Sequence, residues 1–173
     1  MSRTPVATVT FGIRLFVAGL LFLLWAALLG RFDAQEWVIG ALLVLMVTAL
    51  AEPHLGIFSG VRLTSSAPVH FLRWLGFFLM ALVRANLDMA RRVLSPTLPL
   101  NPGFVEVRTA LTSPLGKLAL ANSITLTPGT LAVDIDDDRL LVHWVDVNGS
   151  EDIDAATAEI AAGFERHLRG FLK

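Results

Sequence analysis

The stretch Asn122-Ser123-Ile124-Thr125-Leu126-Thr127-Pro128-Gly129-Thr130 holds three threonines, a serine and an asparagine, groups that can attack or bind a substrate in the right company. A hydroxyl becomes a nucleophile only beside a base that takes its proton, and the stretch contains no His, Asp, Glu or Lys. Pro128-Gly129 signals a type II turn in which the glycine takes positive φ, and short hydroxyl side chains there bond to nearby backbone groups. The expectation is a structural corner of Thr125, Thr127, Pro128, Gly129 and Thr130. It sets the angle between a helix at 113–126 and a hairpin at 131–147, and offers a polar docking edge to a neighbouring protein.

Other chemistry-bearing residues give weaker signals. Asp134, Asp136, Asp137 and Asp138 could supply oxygen ligands to a hard cation, but they lack the turn glycine and distal Glu of an EF-hand loop, so a solvated hairpin turn explains them better. His54, His70, His143 and His167 show no metal spacing, no HExxH pattern and no nucleophile elbow nearby. With no cysteine in the chain, disulfides, thiolate zinc sites and cysteine nucleophiles are excluded. Neither a catalytic residue nor a cofactor or metal ligand is expected. Arg84, Arg91 and Arg92 remain, as contacts to anionic lipid headgroups or to acids on a partner.

The elements that position these residues are those of a membrane protein: 54% of the 173 residues are hydrophobic, 17% are charged, and the mean hydropathy is +0.65. Charge is split along the chain. Residues 1–100 carry eight Arg against four acids, and residues 101–173 carry six bases against eleven acids, so a basic membrane part precedes an acidic water-facing part. Phe11 to Gly30 holds one charge, Arg14, and is long enough to span, with Arg14 snorkelling to the interface. It is too long for a signal-peptide core and runs almost at once into a second apolar run. That run, Trp37 to Ala51, spans if Ala34–Glu36 supply its first turn. The short link Arg31-Phe32-Asp33-Ala34-Gln35-Glu36 then makes an antiparallel hairpin.

Residues 53–68 read as a loop or interfacial link. From Val69 to Ser95 helical periodicity returns, but only ten uncharged residues separate Arg73 from Arg84, too few to span, which favours an amphipathic helix at the interface or against a partner. Arg73, Arg84, Asp88, Arg91 and Ser95 share one stripe, while Trp74, Phe78 and Leu82 lie on another. Three prolines in Ser95–Gly103 end this helix. Beyond them come a strand at Phe104–Leu111, a helix opening at Ser113-Pro114, a hairpin of Leu131–Ile135 and Leu140–Val147, and a last helix over 150–173 with acids first and bases last. The fold class is thus membrane α plus a small α/β domain: a transmembrane hairpin (1–52), a link with an amphipathic third helix (53–100), and a C-terminal β-α-β-β-α domain (101–173).

With that order of parts, the run LALANSITLTPGTLAVDIDDDRLLVHWVDV (118–147) resembles the MnhE/MrpE family, the E-type subunits of Mrp-type multisubunit sodium/proton antiporters, over essentially the whole chain. The resemblance implies an accessory subunit of a cytoplasmic-membrane complex whose ion channels lie in other, larger subunits, with those subunits and membrane lipid as partners, no nucleic acid, and no catalytic residue set to carry over. The residues agree, because the two expected spans hold no ionisable group besides Arg14 near one end. Two spans put Arg3, Arg14, Arg62, Arg73, Arg84, Arg91 and Arg92 on one side and Arg31 alone on the other, so both termini are expected in the cytoplasm. The alternative is a stand-alone membrane-anchored domain that senses a small ligand.

Overall fold

The computed structural model describes residues 10–29, 33–147 and 152–173. Arg31 and Phe32 of the expected link and the first residues expected in the last helix lie outside these, as does Arg3. The chain forms two compact units, one ending at Val61 and the other running from Arg62 to Lys173.

In the first unit, helices α1 (Phe11–Leu28) and α2 (Ala34–Leu50) pack side by side. Near one end the Trp25 indole N–H donates to the Glu36 carbonyl at 3.2 Å, and Phe22 meets Trp37 with ring centroids 5.5 Å apart. At the other end Arg14 is ion-paired with Glu52, rather than left to snorkel alone. Most large side chains of the two helices, among them Leu20, Leu24, Leu42 and Leu45, are exposed, the reverse of a water-soluble hairpin and the arrangement that lipid requires.

Residues Glu52–Gly60, expected as loop, form a 3-10 helix bent 84° from α2. Pro53 has no N–H to continue α2 but fits the first turn of a new helix. The segment buries Leu55 against Ile13 and Val17 of α1. By length and composition α1 and α3 (Ala67–Leu94) could each cross a membrane, while α2 qualifies only together with this bent segment. The sequence pattern points instead to α1 and α2; α3 qualifies because its 28 residues run on past the arginines that bound its short uncharged core.

The second unit contains α3, β1 (Gly103–Arg108), α4 (Pro114–Leu126), β2 (Thr130–Asp136), β3 (Arg139–Trp144), α5 (Ile153–Ala156), a π-helical turn (Thr157–Ala161) and α6 (Ala162–Leu168). The three strands form an antiparallel sheet in the order β1-β3-β2. Val105, Val107, Leu140 and Val142 point to one face and are buried with Leu120 and Ile124 of α4 and Phe164 and Leu168 of α6. On the other face Phe104 lies edge-on to His143, 5.1 Å away. The sheet therefore carries helices on one side.

Alternation in Leu131–Ile135 suggests an unbroken strand, yet the register slips between Ala132 and Asp134. This bulge inserts one residue, so Leu131 lies opposite His143 on the open face while Ile135 lies opposite Leu140. The last helix is likewise interrupted. Thr157 donates back to the Ile153 carbonyl at 2.5 Å and accepts from the Arg108 N–H at 2.9 Å, which ties the π-turn to β1.

Candidate interaction site

The corner is built around α4. At its start the Ser113 hydroxyl oxygen accepts from the Gly116 N–H at 3.0 Å, and the hydroxyl donates to the Lys173 carbonyl at 2.7 Å. An N-cap followed by Pro114 is the opening that the sequence predicts. At its end a helix leaves backbone carbonyls without partners, and here hydroxyls supply them. Thr127 donates to Ser123 O at 2.8 Å and Thr130 to Ile124 O at 2.6 Å, while Ser123 bonds back within the helix to Ala119 O at 2.7 Å. Thr125 works in the other direction, accepting the Ala132 N–H at 3.1 Å and so tying α4 to β2.

Gly129 has φ +98°, the half of conformational space that side chains resist, and its carbonyl accepts the Val145 N–H at 2.9 Å. The hydroxyl protons of Ser123, Thr127 and Thr130 are thus committed to backbone carbonyls. Beside them opens a cleft of about 220 Å³ lined by Thr127, Pro128, Thr130, Phe77, Glu159 and Phe164.

The arginines separate into two kinds. Arg84 and Arg91 are exposed and form no ion pair among the described residues. Arg92 is turned inward: it bonds Asp88 at 2.7 Å and the Pro99 carbonyl at 3.0 Å, and is ion-paired with Asp146. The bonds it donates to Asp88 and then to Asp146 hold its guanidinium above its ordinary pKa. It fastens the end of α3 to the residues after β3. Asp146 gave no signal in the sequence beyond being a lone acid in the apolar run Leu140–Val147. The rest of α3 is fastened by aromatic contacts, with Phe77 5.3 Å from Phe164 and 5.0 Å from His167, and Trp74 6.1 Å from Phe171. Gly163 permits this approach, since a Cβ there would lie 2.6 Å from the Phe77 ring. Among the described residues no group of three or more His, Asp or Glu could hold a metal ion.

Residues 18–170 match the model of a family described as Na+/H+ ion antiporter subunit. The chain belongs to that family. Among its relatives, the E1 subunit of the Na(+)/H(+) antiporter of Staphylococcus haemolyticus is 30% identical over 143 residues, 81% of this chain and 87% of the relative. The corresponding E1 protein of Staphylococcus saprophyticus is 28% identical over 142 residues, covering 81% and 86%. Among solved structures, a chain of the membrane-bound sulfane sulfur reductase, an archaeal respiratory membrane complex, superposes with a TM-score of 0.79 at 41% identity, over 91% of this chain and 97% of that one. Antiporter-subunit relatives and the respiratory-complex chain thus share most of the length of this protein.

Proposed function

We propose that the chain is an accessory, non-catalytic subunit of a multisubunit Na+/H+ antiporter in the cell membrane and does not itself carry the ion. The observation that carries this reading is the family match over residues 18–170, joined to helices that offer an ion no stepping stone. No ionisable residue occurs from Leu15 to Leu28 or from Trp37 to Leu50, whereas ion pathways through a bilayer hold such groups within the membrane. The distribution of arginines supports a C-terminal domain on the cytoplasmic side. In this reading residues 1–52 anchor the protein in the bilayer, Arg84 and Arg91 meet lipid or a partner's acids, and the Thr125–Thr130 corner presents a docking edge beside its cleft. Arg92 serves the third helix's attachment instead.

The respiratory-complex neighbour favours a second reading, in which the same protein serves a redox-linked membrane complex. Nothing favours a stand-alone sensor. Purification of the native complex, with identification of the co-eluting chains, tests these readings. Large polytopic antiporter subunits alone support the first, additional redox subunits support the second, and a solitary chain refutes both. The purified protein in vesicles should move neither Na+ nor H+; protonophore-sensitive exchange by it alone would refute the non-translocating role.

A further inference from the structure

Helix α3 shows two unlike long faces. His70, Trp74, Phe77, Ala81, Met89 and Arg92 recur at helical intervals and are half-buried against α6 and the residues around Gly129 and Asp146. Opposite them, Val69, Leu72, Leu79, Val83, Leu87 and Leu94 form an apolar stripe that is exposed from end to end. Along its border stand Arg73, Arg84 and Arg91, also exposed and with no ion pair among the described residues. A continuous apolar stripe of this length marks a surface that something covers.

Crossing the bilayer does not fit. A hydrocarbon core about 30 Å thick needs about twenty residues of helix, and every twenty-residue window of α3 includes Arg84 with at least one further arginine. The domain attached along this helix, with His167 against Phe77 and Glu159 in the cleft beside Phe77 and Ala81, would also be carried into hydrocarbon, the costliest place for a charge. Lying along the surface satisfies each group. The stripe enters the acyl boundary, the arginine stems follow it while their guanidinium groups stay among headgroups, and the attached domain remains in water. Three cations along one border match an anionic leaflet.

We infer that α3 lies in the plane of an anionic leaflet, seated by its Val69–Leu94 stripe, and carries the sheet domain on its water side. The inference rests on the reading of the chain as a membrane protein but not on which complex it serves. Because the chain has no cysteine, single cysteines report one position each. Leu72→Cys, Val83→Cys and Leu87→Cys would be labelled with an environment-sensitive dye in the full chain, reconstituted in phosphatidylglycerol-containing vesicles, with Leu20→Cys in α1 as reference. Quenching would be compared between lipids spin-labelled near the headgroup and near the chain end, and with aqueous iodide.

The expected result is equal, shallow lipid quenching at all three α3 positions, shielding from iodide, and deep quenching at Leu20→Cys. A gradient of depth from position 72 to position 87 would overturn the inference in favour of a span. Free access of iodide to all three would overturn it in favour of a face reserved for a protein partner. If Leu20→Cys is not deep, the membrane reading itself fails, which separates the two failures. Adding Arg73→Gln, Arg84→Gln and Arg91→Gln should raise iodide access at Val83→Cys several-fold. Unchanged access would overturn the role given to the anionic leaflet.

Discussion

Gly129→Ala tests whether the corner is a scaffold. A residue other than glycine at φ +98° costs about 1–3 kcal/mol. The new Cβ would stand 3.1 Å from Val145 Cγ1 and 3.6 Å from Met89 Cε, so Val145 must retreat by a few tenths of an ångström. Its backbone cannot yield freely, because the Val145 N–H is held by the Gly129 carbonyl at 2.9 Å. Taken together the loss should be about 2–3 kcal/mol, which for a unit of this size lowers the melting temperature by roughly 8–12 °C. Thermal unfolding of the detergent-solubilised full chain would be followed by fluorescence of Trp74 and Trp144, with Trp25 and Trp37 replaced by Phe so that only the second unit reports. Gly129→Asn should lose about half as much, since Asn tolerates positive φ better than Ala. The strain argument is refuted if Gly129→Ala melts with the parent, or if Asn and Ala are equally harmful.

Thr130→Val removes the hydroxyl bonded to Ile124 O at 2.6 Å and should cost about 1–2 kcal/mol, read in the same melt. Thr127→Val should stay folded, so loss of co-purifying subunits would report a partner contact at this edge, and full co-purification would remove the docking role. Arg92→Leu strips a guanidinium from Asp146, whose side chain is 11% exposed, and should cost about 2 kcal/mol or more. Arg84→Leu with Arg91→Leu should stay within about 0.5 kcal/mol, and equal losses for Arg92 and this pair would contradict the division between inward and outward arginines. Gly163→Leu should detach α3 by displacing the Phe77 ring and appear as raised proteolysis at the linker before β1; an unchanged digestion pattern would count against the close approach.

What the sequence made legible was whatever depends on near neighbours. The Ser113-Pro114 opening, the Pro128-Gly129 turn and the acidic tip between β2 and β3 are local chemistry, and each stands within a few residues of its expected place. The same holds for the amphipathic pattern of α3. Pairings between distant residues were not legible. Arg92 reads as one more surface arginine until Asp146, fifty-four positions on, is folded against it. The split between Arg92 and its neighbours therefore depends on tertiary structure alone. The β2 bulge was hidden for a related reason: Leu131, Val133 and Ile135 alternate as in a regular strand, and the slipped register shows only in the pairing with β3. The helical turns after Glu52 were missed because Pro, Gly and Ser usually mark loops, and only burial of Leu55 under α1 makes a helix there worthwhile.

The bulge in β2 also bears on how copies of this protein tolerate crowding in a membrane. An outermost strand with open N–H and C=O groups invites a strand from another molecule to join it. Here β2 kinks at Ala132/Asp134 and carries Asp134 and Asp136, so an incoming strand meets broken spacing and negative charge. On the opposite border the Arg108 N–H of β1 is already taken by Thr157. The β2 margin is therefore a poor template for sheet extension, and the β1 margin is capped at its last residue. A neighbour that engages the β2 margin does so through side chains of matching shape and charge rather than by adding a strand.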